Sequence, residues 1–308
     1  MHARLSGRAD FSGGTRILLA AVVVLLLCGV VMGVADRRFD VATFNCTPEG
    51  SADHFCQVHF DALNWTSTNG HFLCMGSDAH RSEVNGAGNF LCAYYNNLTG
   101  LYGTYNGTQA ADQIENYVIA NFTNTGVKTT WVQLNEISAG TWPGNQAYRD
   151  WLRTCVARLK NTYGHSVILF APFENPANNA ADWVPLSGNC YIAIEKYLSG
   201  QEINASGNSL TWCKNQYQSS KNSYLGLGID PAKLYLAEHF GQTLHDTGWG
   251  RSGVSYAGWD NAIQVRADAA KQVGFAGFVG YAWGKNAMGV SDADMVHFIQ
   301  TYRAKPLP

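Results

Sequence analysis

The sequence predicts an α/β fold, a single-domain (β/α)8 TIM barrel with disulfide-stapled loops, and three observations carry that expectation. From the middle of the chain onward, short apolar runs of strand character alternate with segments of helical periodicity, which is the pattern of a parallel sheet with helical crossovers. The last apolar run, "GFAGFVGYAW", is rich in Gly, which suits a strand packed tightly against its neighbours in a closed sheet. The chain has 308 residues, the length of one barrel of roughly 250 residues with a leader in front of it.

The elements follow in order. "GHFLCMGSD" reads as a strand and "QAADQIENYVIANF" as a helix, with loop-rich stretches expected over 41–69 and 89–108. "TTWVQLN" is a strand that stops at Asn135-Glu136. Residues 145–161 form a helix, because Tyr148, Trp151, Leu152, Cys155, Val156 and Leu159 recur at helical spacing. "HSVILFAPF", "CYIAIEKYL" and "AKLYLAEHFG" read as strands, and residues 259–273 as a helix. "SDADMVHFIQTYR" closes the chain as a helix, with Ser291 and Asp294 at capping-box spacing. Counting back from the end places 129–135 at strand four, 232–238 at strand seven and 274–283 at strand eight.

Residues 1–35 read as a signal peptide or N-terminal membrane anchor and residues 36–308 as the catalytic domain. Arg4, Arg8 and Arg16 precede an uncharged run from Ile17 to Ala35, and Gly33 and Ala35 offer small residues at a cleavage site. An uncleaved run over 17–35 would anchor the chain in a membrane. Either way the domain is expected to be secreted or extracytoplasmic. Removing the leader takes three Arg and one Asp from 21 basic and 23 acidic residues, leaving 18 and 22, a net charge of −4. That balance argues against nucleic acid as a partner, and against membrane contact except through the leader. Nine Trp and fifteen Tyr with only 14% charged residues suit a neutral, hydroxyl-rich ligand, an oligo- or polysaccharide, bound by a monomer.

Export permits disulfides. Pairing sequence neighbours gives Cys46–Cys56, Cys74–Cys92 and Cys190–Cys213, with Cys155 left as a buried free thiol on its helical stripe. No C-x-x-C pair suggests zinc. Six N-x-S/T sequons occur, at Asn45, Asn64, Asn97, Asn106, Asn121 and Asn204.

A barrel carries its chemistry at the C-terminal ends of its strands. The polar residues expected there are Asp78 and His80, Asn135 and Glu136, Glu174, Glu195, Glu238 and His239, with Trp283 at the last strand. Four strands closing on carboxylates is electrostatically costly, because like charges in a low-dielectric cup raise each other's pKa, and function is the usual reason for such an arrangement. Trp131 and Trp142 are expected near Glu136, where they would desolvate it. Glu174 is a rival nucleophile, and Glu174 and Glu195 are alternatively substrate contacts or rim salt bridges.

The order Asn135-Glu136, then "EHFG" from Glu238, then Trp283 in "GYAWG" resembles clan A, the retaining glycoside hydrolases built on (β/α)8 barrels. The resemblance implies an acid/base at Glu136 and a nucleophile at Glu238, acting without metal or organic cofactor on a β-linked glycan. It also implies Asn135 on the sugar 2-hydroxyl, Trp283 stacked beneath the ring, and Glu174, His239, Asp78 and His80 as further substrate contacts. Retaining cleavage needs its two carboxyl groups about 5–5.5 Å apart. Two other classes fit the same barrel. One is a metal-dependent hydrolase using Asp78, His80, His239 and Glu136 or Glu238, although no H-x-H or H-E-x-x-H pair is present. The other is a carbohydrate-binding barrel without catalysis.

Overall fold

A computed structural model describes residues 39–44, 71–75, 91–122, 131–135, 137–176, 180–239 and 256–282. Eight strands run parallel: β1 (Phe39–Phe44), β2 (His71–Met75), β3 (Leu91–Tyr95), β4 (Trp131–Leu134), β5 (Ser166–Ala171), β6 (Tyr191–Glu195), β7 (Leu234–His239) and β8 (Gly277–Ala282). Each pairs with the next, and β8 pairs with β1, so the sheet closes. Followed from partner to partner once around, the register leaves β4 at residue 134 and returns at residue 126, a displacement of eight. That displacement is the shear of an eight-stranded TIM barrel. The strands counted as four, seven and eight in the sequence hold those places. The loop-rich stretches supply the two further strands that the count requires before β4, β1 starting just ahead of residue 41 and β3 inside 89–108. Both are short runs, and the regular partners that fix them lie far away in sequence.

The described helices are α1 (Leu98–Tyr102), α2 (Gly107–Asn121), α3 (Gln146–Asn161), α4 (Ala180–Ser187), α5 (Gly200–Ala205), α6 (Leu210–Leu225) and α7 (Tyr256–Val273). Local chemistry starts them. Asn106 accepts from the Gln109 N–H while the Gln109 side chain accepts from the Asn106 N–H, a capping box that opens α2. Asn145 and Ser209 cap α3 and α6 in the same sense, and Ser199 with Glu202 makes a second capping box at α5. At the end of α7, Gly274 takes a positive φ of 75°, which glycine adopts at no steric cost. The buried ammonium of Lys221 donates to the carbonyls of Val273 and Gly274, satisfying acceptors the helix leaves open.

Alternation along the strands sorts the side chains into two cores. Val132, Leu134, Leu169, Ile194, Leu234 and Leu236 face the helices. The inward residues combine with the shear to form layers drawn from alternate strands. Cys92, Ile168 and Tyr235 belong to one layer, Gln133, Ala193 and Val279 to the next, and Tyr94, Phe170 and Ala237 to the third. Below them, Tyr191 stacks between Trp131 and Tyr235, with ring centroids 5.6 and 4.9 Å away. Among the described residues the barrel interior is packed up to the layer of Tyr94, Phe170 and Ala237, which leaves the C-terminal ends of the strands as the place for a site.

The disulfide scheme is corrected. Cys190 and Cys213 are both free, and each is buried among apolar side chains of the helix layer. Cys92 is also free, although it stands beside Cys74 in the register of β2 and β3. These cysteines pack as small hydrophobes, and the spacing that suggested bridges reflects their places on successive elements. Cys155 is free and buried on α3, as its helical stripe implied. Cys46 and Cys56 lie outside the described residues, as do the leader and the expected C-terminal helix. Among the described residues no helix is long and apolar enough to cross a membrane.

Burial pushes the Cys155 and Cys190 thiols up to about 12. In the native protein both should resist alkylation at pH 8, and in denaturant without reductant both should be labelled completely, as peptide mass mapping would show. A folded-state value above the unfolded one stabilises the protein fully below the unfolded thiol pKa, near 8.5–9, and that stability is lost as pH rises through the folded value. The urea midpoint should accordingly fall as pH climbs from 9 toward 12.

Candidate active site

β4 ends irregularly. Asn135 N–H donates to the Tyr95 carbonyl at 2.8 Å, which continues the pairing with β3. On the other side, the register Leu134↔Leu169 would set position 136 opposite Ala171. Instead Ile137 N–H donates to the Phe170 carbonyl at 2.9 Å, which sets Ile137 there. Leu134 and Ile137 both face the helix layer, three residues apart where alternation allows two. One extra residue has entered the strand between them, the signature of a β-bulge. Bulges at barrel rims re-aim side chains, and this one falls on Asn135-Glu136. Glu136 itself lies outside the described residues.

Asn135 and Glu195 share the next layer above Tyr94, Phe170 and Ala237. They come from β4 and β6, whose backbones lie about 9–10 Å apart by strand spacing. Alternation on β6 puts Tyr191 and Ala193 in the barrel, between Ile192 and Ile194 in the helix layer, and carries Glu195 to the inner face. Pairing stays regular past this point, because Lys196 N–H donates to the Ala237 carbonyl at 3.2 Å. Asn135 and Glu195 are both partly exposed. The charge of Glu195 helps to raise the Tyr224 phenol well above its usual value, after burial as the larger cause. Beneath this pair lies Gln133, fully buried in the second layer. Sequence reasoning passed over Gln133, although its position two residues from both Trp131 and Asn135 is the signal that it faces inward.

Glu238 is elsewhere, and the nucleophile assignment is corrected. It shares the face of Leu234 and Leu236, turned to the helices, and is 0% exposed. Its carboxylate accepts from the Leu198 N–H at 3.0 and 3.3 Å and from the Tyr217 hydroxyl at 2.5 Å. The fully buried Arg266 donates to the Leu198 carbonyl. Burial first, then the negative charge of Glu238, holds the Tyr217 phenol well above its usual range, so it remains a donor. A carboxylate enclosed in this way cannot meet a sugar at the barrel mouth. The acid is at the expected strand end, but one residue of register sends it to the opposite face.

Other expectations divide similarly. Glu174 reaches the rim but stays 60% exposed by side chain, paired with Lys196 at 2.7 Å. This is a surface ion pair of small energy. Trp131 stands at the far end of β4, four residues or about 13 Å below Asn135, and does not desolvate the mouth. Trp142 is buried in the helix layer against Trp183, centroids 4.6 Å apart. His239 closes β7 in register with Tyr281. Asp78, His80 and Trp283 lie outside the described residues. Among the described residues no group of three or more His, Cys, Asp or Glu is arranged to hold a metal ion.

No protein-family model and no curated protein sequence matches this chain. Solved structures with a similar fold include an endo-beta-N-acetylglucosaminidase from Cordyceps militaris, 15% identical, with a TM-score of 0.51 over 87% of this chain and 91% of that one. Another is the spore cortex-lytic enzyme SleL of Bacillus cereus, 9% identical, with a TM-score of 0.54 over 86% of this chain and 74% of that one. At such identities the likeness is one of fold.

Proposed function

We propose that this chain is an exported glycoside hydrolase that cleaves a β-linked glycan at the open end of the barrel, with Glu136 as acid/base. The observation that carries the reading is the β4 bulge. Between the outward-facing Leu134 and Ile137 the strand holds two residues where strict alternation allows one, and Asn135 shares the inner layer with Glu195. Glu195 replaces Glu238 as the second carboxylate, because it stands in the layer of Asn135 on the inner face of β6. The structure of similar fold named as an endo-beta-N-acetylglucosaminidase accords with this reading.

A retaining hydrolase needs one carboxyl protonated to assist the leaving oxygen and one ionised to attack the anomeric carbon. Glu195 attacks and forms the glycosyl-enzyme, and the leaving oxygen takes the proton from Glu136. Glu136 then removes a proton from water as it attacks the intermediate, releasing the sugar with its configuration retained. In this reading Asn135 binds the 2-hydroxyl, a contact that strengthens in the transition state.

Proton NMR of fresh digests on a panel of β-glucans, chitin oligosaccharides and β-mannans tests the proposal. The β-anomer should appear first on at least one substrate, with mutarotation to the α-anomer afterwards. Initial release of the α-anomer would mean inversion and would reject the nucleophile role of Glu195. Absence of cleavage across the panel by folded protein would favour a binding barrel.

A further inference from the structure

The enclosed carboxylate of Glu238 has a position that suggests a task. Three residues after Glu195, the Leu198 peptide is gripped from both sides: its N–H by Glu238 and its C=O by Arg266 of α7. The same short segment is tied at Lys196, whose N–H bonds the Ala237 carbonyl and whose ammonium pairs with Glu174. It ends at Ser199, which caps α5. Tyr217 of α6 fixes the other side of the Glu238 carboxylate. One buried anion thus joins β7, α6 and the segment that carries the backbone away from Glu195. Arg266 adds α7 through the Leu198 carbonyl.

We infer that Glu238 is a positioning residue, which holds the segment 196–199 so that Glu195 stays aimed into the barrel mouth. This rests on the reading of Glu195 as nucleophile, but part of its test does not. A carboxylate suits the task because it accepts from the Leu198 N–H and the Tyr217 hydroxyl together, and charge-assisted bonds of this kind are about twice as strong as neutral ones. An amide carries no charge, and its NH2 group takes the place of one of the two oxygens that now face these donors.

Two measurements on the full chain decide the matter. In Glu238→Gln, hydrogen exchange at the Leu198 amide should speed up by about 10–100-fold relative to wild type, while Ile192 to Ile194 change little, as expected for local opening. Unchanged exchange at Leu198 would overturn the clamp whatever the enzyme does. Tyr217→Phe, which removes one donor at nearly constant volume, should show a smaller change in the same direction and guards against a Glu238→Gln variant that does not fold.

The second measurement uses a 2-deoxy-2-fluoro glycoside with a good leaving group, whose label is located by peptide mass mapping. The label should sit on Glu195 in wild type, and in Glu238→Gln it should sit there still, with kcat lowered about tenfold or more and KM nearly unchanged, the cost of a small misplacement. A label on Glu238 in wild type would overturn the positioning role. A label on neither glutamate, with the exchange result as expected, would reject Glu195 as nucleophile and leave the clamp standing.

Discussion

Glu195→Gln should abolish cleavage even of nitrophenyl and fluoride glycosides, whereas Glu136→Ala should spare those substrates while losing natural glycans by roughly 10³–10⁵-fold. The asymmetry comes from what each step needs. A nitrophenolate or fluoride departs with little protonation, so the first half-reaction survives loss of the acid. The glycosyl-enzyme then accumulates, because no base activates water, and added azide should restore turnover and yield a β-glycosyl azide. Loss of the nucleophile leaves no covalent partner for any leaving group, and azide should give at most a product of inverted configuration. Glu174→Gln, at an exposed rim pair, should keep activity within a few-fold. Stopped-flow of aglycone release followed by chromatography of the azide product separates these outcomes. A burst in Glu195→Gln would transfer the nucleophile role to another residue, and equal tolerance of both substitutions would remove both from the chemistry.

Much of the barrel was legible because its signals are local. The runs at β5 and β7 are too apolar for loops, the stripe on α3 has one period, and Asn-Glu at the end of an apolar strand marks a rim. Two things were not legible. The first was facing. Glu195 and Glu238 both close strands and look alike in sequence, yet Glu195 continues the inward set of Tyr191 and Ala193 whereas Glu238 continues the outward set of Leu234 and Leu236. Counting alternate residues back from each acid would have separated them. The second was the extra residue between Leu134 and Ile137, which shows in the pairing of Ile137 with β5 and in the shared facing of the two side chains. The expected pairs Cys74–Cys92 and Cys190–Cys213 do not form, for a related reason. Neighbourhood in sequence pairs Cys190 with Cys213, but each side chain packs in the helix-layer core, where a thiol needs no partner. The resemblance to clan A sets Glu238 at the barrel mouth, whereas the structure turns its side chain into the helix layer.

The described segments that follow β4 and β5 rest on an aromatic cluster. Trp183 of α4 is fully buried between Trp142, after the β4 bulge, and Tyr224 of α6, with centroids 4.6 and 5.4 Å away; Phe173, just beyond β5, meets it edge-on at 6.2 Å. Its indole N–H donates to the Pro176 carbonyl at 3.3 Å, and Tyr224 donates to the Phe173 carbonyl at 2.8 Å. Trp183→Ala removes the largest wedge in this layer and leaves a cavity that its ring neighbours cannot close without moving the β5 loop. The expected cost is about 3–5 kcal/mol, which at about 2–4 °C per kcal/mol for a domain of this size lowers Tm by roughly 6–20 °C. Trp183→Phe keeps most of the volume and should recover more than half of the loss. Scanning calorimetry measures both. Because Trp142 leads back to Asn135-Glu136 and Phe173 leads on to Glu174, kcat should fall in Trp183→Ala even below its lowered Tm. A variant that loses stability but keeps full kcat would show that the rim is held without this cluster.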